Sequence, residues 1–151
     1  MLKIMEDERL IVAIQKMIDH RISSLPIIDG EGRVVDVISK ADLAYNLKFI
    51  NITDIQVIFK FYDLFLLSTI IAINIQEYFH RQRVTECISH RQPTIFPSAD
   101  HTVGSILDIV LNNRAKCIFV TDSAKHLLAA ISLSDFISYI LCHEEVPDTT
   151  V

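Results

Sequence analysis

The chain contains an internal duplication, and this repeat restricts its possible folds more than any other feature. The segment that begins at Arg21 recurs 93 positions later without a gap. The matching pairs are Arg21 with Arg114, Asp29 with Asp122, Ser39 with Ser132, and Asp42 with Asp135. Because chance similarity would not keep polar and apolar positions in one frame over so long a stretch, we infer two copies of one structural unit.

Each copy has the same order of apolar and polar segments. In the first copy, the apolar run 25–28 is followed by a turn containing Gly30 and Gly32, and a second apolar run ends at Ser39. Apolar residues at helical spacing precede the strands: Leu10, Ala13, Ile14, Met17 and Ile18 in the first copy, and Val103, Ile106, Leu107, Val110 and Leu111 in the second. The pattern predicts helix, strand, turn, strand and helix, and therefore an α/β fold with two tandem units.

The repeat also divides the chain. The predicted parts are a first unit over 1–47, an insertion over 48–75, a second unit over 76–143 and a tail over 144–151. Residues 1–7 would be a lead-in, with Asp7 capping a helix over 8–20. The second copy has an approach segment over 84–102 that has no counterpart in the first, so we expect the first unit to be incomplete at its amino-terminal side.

The insertion over 48–75 is rich in Ile, Phe, Leu and Asn. Its apolar part, 55–75, nearly reaches membrane-spanning length, but polar residues interrupt it and the uncharged run 64–75 is too short to span a bilayer. Three interpretations are open. The segment could be an extra buried or interfacial helix, a weak membrane segment, or intron sequence translated in frame.

Composition excludes several classes of protein. The net charge of -5 gives no general electrostatic footprint for nucleic acid, although it leaves local basic sites open. Cys87, Cys117 and Cys142 are odd in number and widely spaced, which is typical of thiols in a reducing compartment. No secretory signal opens the sequence. We therefore expect a protein of the cytosol or nucleus that does not bind nucleic acid, and we favour a chain outside the membrane over one inserted in it.

Nothing in the sequence indicates an enzyme. Only 3 glycines are present, too few for a phosphate-binding loop of the nucleotide hydrolase or dehydrogenase type. The histidines and cysteines have no metal-ligand spacing. We expect no catalytic residues, no metal and no cofactor.

Candidate binding residues lie where the second strand of each copy meets the following helix. The first junction contains Ser39 and Asp42, and the second contains Ser132, Ser134 and Asp135. A hydroxyl there can cap the helix or contact a phosphate, and a carboxylate can accept hydrogen bonds from a ribose diol. From these residues alone, two interpretations remain: a capping box and a ligand-binding site.

The two copies resemble a tandem pair of cystathionine-β-synthase (CBS) domains, or Bateman module. The resemblance rests on Leu25-Pro-Ile-Ile-Asp, Gly32-Arg-Val-Val-Asp, Ser39-Lys-Ala-Asp-Leu and Ser132-Leu-Ser-Asp. With His20-Arg21-Ile-Ser, these strings are similar to the carboxy-terminal CBS pair of the gamma regulatory subunits of AMP-activated protein kinase. The resemblance covers 8–47 and 84–141, and it implies two small sheets flanked by helices, related by a pseudo-twofold axis with clefts between them.

The resemblance also implies which residues bind ligand. Asp42 and Asp135 would contact ribose, Arg91 would contact phosphate, and Lys116 would supply a point charge. Cys117 departs from the family, which has a His-Arg pair at 116–117, so one phosphate clamp is weakened. The complete implied set is Ile22, Ser23, Ser39, Lys40, Asp42, Arg91, Lys116, Ser132, Leu133, Ser134 and Asp135.

The implied function is regulatory. The chain would bind AMP, ADP and ATP, sense the energy state and regulate a protein kinase through its catalytic (alpha) and scaffolding (beta) subunits, with a second CBS pair as a further partner. One alternative is a CBS sensor of another adenosyl ligand in a different enzyme or transporter. A second is a structural or membrane-associated interaction module with empty clefts.

Overall fold

The structure is a computed structural model that describes residues 1–47, 64–113 and 117–142. The chain divides into two compact units, Met1–Thr94 and Ile95–Val151. Each unit contains a small sheet and helices, so the predicted α/β class is confirmed.

The sheet of the first unit has three strands in the order β1-β2-β3. β1 (Ile4–Met5) runs parallel to β2 (Ser24–Ile28), which pairs antiparallel with β3 (Val34–Ser39). The turn between β2 and β3 contains Gly32 at φ 80°, a left-handed conformation that glycine adopts at little cost. The carboxylate of Asp29 accepts hydrogen bonds from two backbone N–H groups of this turn, which fixes the hairpin.

In the described ranges of this unit, the helices are α1 (Leu10–Asp19), α2 (Lys40–Asn46), α3 (Leu64–Arg81) and α4 (Val84–Ile88). α1 forms because its apolar residues recur at helical spacing, which gives the helix one apolar face. Leu10, Ala13 and Met17 on that face are buried in the core of the unit, whereas Ile18 near the end of the helix is exposed. The buried core comprises Ile4, Leu10, Ala13, Met17, Leu25, Ile27, Ile38, Val84 and Cys87.

The predicted start of the first unit was wrong in two respects. Residues 1–7 are not a plain lead-in, because Ile4 and Met5 form strand β1 and pair with β2. The helix does not begin after an Asp7 cap. Its N-cap is Arg9, in extended conformation and without a side-chain cap bond, and the helix begins at Leu10.

The boundary between the units also differs from the prediction of a second unit beginning at residue 76. α3 runs without a break through position 76, and the first compact unit extends to Thr94. The reason is backbone hydrogen bonding between the residues before α1 and the residues between α3 and α4. Leu10 N–H donates to the Gln82 carbonyl at 2.9 Å, and Val84 N–H donates to the Glu8 carbonyl at 3.1 Å. These bonds tie the start of α1 to the connection between α3 and α4.

Much of the predicted insertion, 48–63, and the predicted tail, 144–151, lie outside the described residues. Within the described part of the chain, no helix has both the length and the apolar character needed to cross a membrane. The remainder of the insertion, from Leu64 onward, forms the first turns of α3.

The second unit repeats the plan. α5 (Val103–Asn113) precedes the antiparallel pair β4 (Cys117–Thr121) and β5 (Leu127–Ser132), and α6 (Leu133–Cys142) follows. Its buried apolar core residues lie on β4 and on both helices. They are Val110, Ile118, Phe119, Val120 and Phe136.

The duplication is visible in the backbone register. Both hairpins pair in the same frame, with Ser24 opposite Ser39 and Cys117 opposite Ser132. The register shift between Ile27 and Ile28 recurs between Val120 and Thr121. The parallel pairing of Met5 with Ile28 recurs between Ser98 and Thr121. Gly32 has a left-handed backbone conformation, and so does the matching Lys125, at φ 65°. One turn and strand geometry is therefore built twice from different side chains.

Candidate functional site

Four of the predicted site residues meet at one end of the first sheet. Ser39 ends β3 opposite Ser24, and Lys40 begins α2. The Lys40 N–H donates to the Ser23 carbonyl at 2.9 Å. Ile22, the residue before Ser23, packs against the core. The structure thus brings Ile22, Ser23, Ser39 and Lys40 together.

Asp42 lies in the first turn of α2 and forms a capping box with Ser39. Its Oδ2 accepts from the Ser39 N–H at 2.8 Å and from the Ser39 hydroxyl at 2.7 Å. Only 6% of Asp42 is exposed. The capping interpretation is therefore confirmed at this junction, since the carboxylate satisfies the backbone at the beginning of the helix.

Arg91 binds the same carboxylate from the other side. Its Nε donates to Asp42 Oδ1 at 2.8 Å, and its Nη1 donates to Asp36 Oδ1 at 3.1 Å, while Nη2 donates to the Val37 carbonyl. Burial works to lower the pKa of Arg91, but hydrogen bonds and charge from Asp42 and Asp36 outweigh it, and the pKa is raised. The implied ribose acceptor and the implied phosphate donor are thus paired with each other.

Sequence reasoning missed Asp36 and Thr94. Asp36 is 8% exposed on β3, and its Oδ1 accepts from the Thr94 hydroxyl at 2.8 Å. An acidic residue within an apolar strand was the available signal, because a buried carboxylate requires partners. The identity of those partners could not be read from the sequence, since Thr94 and Arg91 lie more than 50 positions away.

A polar and aromatic cluster lies next to Arg91. The His90 ring stacks on Tyr45 with centroids 3.9 Å apart, and its Nδ1 donates to the Cys87 carbonyl at 2.9 Å. The Asn46 amide donates to the same carbonyl at 2.8 Å and contacts the Cys87 Sγ. Burial raises the pKa of Cys87 to about 12, with the charge of Asp42 adding to the effect, so this thiol stays protonated.

The second junction has the same capping box in a more open setting. Asp135 Oδ2 accepts from the Ser132 N–H at 2.9 Å and from the Ser132 hydroxyl at 2.6 Å, bonds that lower the pKa of Asp135. Asp135 is exposed, and no hydrogen bond reaches its Oδ1 from the described residues. The two junctions therefore differ: the carboxylate of Asp42 is held by Arg91, whereas that of Asp135 faces solvent.

The remaining predicted residues lie around the second junction. Leu133 and Ser134 are exposed in the first turn of α6. Lys116 is outside the described residues, and Cys117 begins β4 opposite Ser132. Within the described ranges, no group of three His, Cys, Asp or Glu residues could hold a metal ion.

Comparison with known proteins supports the CBS assignment. The family model described as the CBS domain matches residues 1–48. Among solved structures, a CBS-domain protein, CBSX2, in complex with AMP superposes with a TM-score of 0.64 at 14% identity, covering 96% of this chain and 90% of the other. The CBS domain of a membrane protein from Sphaerobacter thermophilus superposes with a TM-score of 0.62 at 19% identity, covering 91% and 80%. The chain therefore has the CBS-domain fold, and its amino-terminal third matches the CBS family.

Curated relatives point to a narrower group. The chain is 23% identical over 138 residues to subunit gamma-3 of 5'-AMP-activated protein kinase from Sus scrofa, and 22% identical over 138 residues to that from Bos taurus. Each match covers 91% of this chain but only 23% or 24% of the relative, so the chain spans about a quarter of the length of these subunits. A Methanocaldococcus jannaschii protein, described as a candidate archaeal homologue of the gamma subunit, superposes with a TM-score of 0.66 at 19% identity over 92% of this chain and 44% of its own. The resemblance to gamma subunits is confirmed.

Proposed function

We propose that this chain is a regulatory module that binds the adenine nucleotides AMP, ADP and ATP and reports the energy state to a protein kinase. The observation that carries the proposal is the repeated Ser-x-x-Asp junction, built in one register in both units, with Asp135 presenting an open carboxylate oxygen. An ionised carboxylate accepts two hydrogen bonds from a ribose diol, whatever the number of phosphates. The AMP complex of the structural neighbour CBSX2 supports adenosine phosphates as the ligand class.

The phosphates are assigned to the basic residues. In the first unit Arg91 offers a planar fork of N–H donors beside Asp42. In the second unit the resemblance assigns Lys116, a point charge, and Cys117 adds no donor of comparable strength. We therefore expect the second unit to have the more accessible ribose acceptor and the weaker phosphate clamp.

Calorimetric titration of the purified chain with AMP and ATP tests this function. Changing Asp135→Asn removes a charged acceptor and should weaken nucleotide binding at the second junction by roughly tenfold or more. Asp122→Asn is the matched control, because Asp122 lies at the hairpin turn of the same unit, where it accepts from the His126 N–H at 2.7 Å. Equal affinity in the parent, Asp135→Asn and Asp122→Asn chains would contradict the assignment.

The partners follow from the same proposal. We propose that the kinase catalytic (alpha) and scaffolding (beta) subunits bind the module, and that nucleotide shifts the kinase by binding one conformation better than another. A second CBS pair is a further proposed partner, supported by the length of the curated relatives and by exposed apolar residues along α6. Those residues are Leu133, Ile137, Ile140 and Leu141.

The structural interpretation is the second candidate, and one observation favours it. In the first unit Asp42 and Arg91 satisfy each other, so this junction can be a fixed structural element with no ligand. Under that interpretation, Asp42→Asn would lower the stability of the chain and leave nucleotide binding unchanged. The titration distinguishes the two candidates.

A further inference from the structure

The contacts of Asp36 converge on one oxygen atom. Its Oδ1 accepts from the Val37 N–H at 2.7 Å, the Thr94 hydroxyl at 2.8 Å, Arg91 Nη1 at 3.1 Å and the Thr94 N–H at 3.4 Å. A buried carboxylate is tolerated only where it is well supplied with donors. Asp36 therefore has a fixed position on the sheet, and it fixes part of the guanidinium of Arg91.

Arg91 uses different N–H groups for its two carboxylates. Nε contacts Asp42, whereas Nη1 contacts Asp36 and also donates to the Thr94 hydroxyl at 3.2 Å and the Gln92 carbonyl at 3.1 Å. Nη2 contacts the Val37 carbonyl next to Asp36. If a sugar hydroxyl replaces Nε at Asp42 Oδ1, the contacts of Nη1 and Nη2 still hold the guanidinium at the junction. Five donors in a rigid plane make this division of contacts possible.

We propose that Asp36 is a positioning residue for phosphate recognition. It retains Arg91 beside Asp42 while the carboxylate of Asp42 exchanges its arginine partner for the ribose, which leaves the Nε–H of Arg91 available to donate to the phosphate. This inference rests on the proposed function, since it concerns how the first junction binds an adenosine phosphate. Thr94 contributes by holding Asp36 in place.

A double-mutant cycle tests the inference. Asp36→Asn keeps the shape of the side chain and removes its charge, and Arg91→Gln removes the guanidinium. Calorimetric titration with AMP should show about tenfold weaker binding for Asp36→Asn, and no further loss when Asp36→Asn is added to Arg91→Gln. Adenosine, which has no phosphate, should bind the parent and the Asp36→Asn chain with nearly equal affinity.

Asp29→Asn is the matched control. Asp29 also pairs with an arginine, since Arg33 Nε donates to it at 2.8 Å, but the pair lies at the hairpin turn of the same unit. AMP affinity should not change in this variant. Thr94→Val is a second probe that keeps all charges, and it should weaken AMP binding less than Asp36→Asn does. In the Arg91→Gln chain, Thr94→Val should not change the AMP affinity further.

Three results would overturn the inference. If the losses of AMP affinity caused by Asp36→Asn and Arg91→Gln multiply in the double mutant, Asp36 has a general structural role. The same conclusion follows if Asp36→Asn lowers the affinities for adenosine and for AMP by the same factor. If AMP affinity is unchanged by Asp36→Asn, it has no role in binding. These outcomes leave the proposed function intact, whereas a parent chain that binds no adenine nucleotide would overturn both proposals.

Discussion

At the scale of single residues, Arg21 shows how the end of α1 is built. The Arg21 N–H donates to the Ile18 carbonyl and the Ile22 N–H donates to the Met17 carbonyl, the pair of bonds that closes a helix with a left-handed residue. Arg21 occupies that left-handed position at φ 53°. The backbone conformation there is one that glycine adopts without steric cost.

Arg21→Gly should therefore stabilise the chain by about 0.5–1 kcal/mol, because it relieves the unfavourable backbone conformation of a residue with a Cβ. Urea unfolding followed by circular dichroism measures the change. Arg21→Ala is the control, since it removes the same exposed side chain but keeps the Cβ. If Arg21→Ala stabilises the chain as much as Arg21→Gly does, the backbone explanation is wrong.

Cys87 gives a second prediction at this scale. Its pKa is about 12 in the folded chain against an ordinary 9.0, so at pH between these values the unfolded chain releases a proton that the folded chain retains. The free energy of unfolding should therefore fall as pH rises from about 9 to about 12. In Cys87→Ala this part of the fall should be absent, which parallel urea titrations at pH 8 and pH 10.5 would show. An identical alkaline decline in the parent and in Cys87→Ala would contradict the assignment of this effect to the thiol.

At the scale of elements, the two capping boxes are a natural comparison. Ser39 and Ser132 hold equivalent positions before α2 and α6, and both bond an aspartate three residues on. They differ in setting, since Asp42 is 6% exposed and also binds Arg91, whereas Asp135 lies at the surface. The Ser–Asp pair therefore contributes more to stability in the first unit than in the second.

Ser39→Ala should consequently destabilise the chain more than Ser132→Ala. Loss of a helix cap costs about 1 kcal/mol, and the loss of a hydrogen bond by a buried charged group can add about 1–3 kcal/mol. Urea unfolding of the two variants gives the comparison. A larger effect at Ser132 would show that burial does not set the importance of the cap.

Much of this element structure was predictable from the sequence. Helical spacing identified α1 and α5, and the repeat predicted that both copies would form the same strand–turn–strand unit. The contacts of Arg91 were not predictable, because nothing local to Asp36 or Asp42 specifies an arginine about 50 positions away. The start of the chain was misread because a two-residue strand such as β1 has no periodicity of its own and forms through pairing with β2.

At the scale of the whole molecule, the chain consists of two compact units with one plan and unequal sites. The first unit supplies Arg91 and a carboxylate already engaged by it, and the second supplies an open carboxylate at Asp135. The resemblance to kinase gamma subunits predicted which junction residues to examine, while the difference between the junctions emerged only from burial and pairing. Adenine-nucleotide binding is the property on which the proposed regulatory role depends.

Thermal unfolding of the purified chain in AMP, ATP, S-adenosylmethionine or no ligand tests that property most directly. A ligand that binds only the folded state adds about 2.7 kcal/mol of stability at a concentration of 100 times its Kd, so the unfolding midpoint should rise by several degrees and continue to rise with the logarithm of AMP concentration. S-adenosylmethionine should produce a smaller shift than AMP. Cooperative unfolding at a midpoint that no adenine nucleotide changes, even at millimolar concentration, would contradict the account.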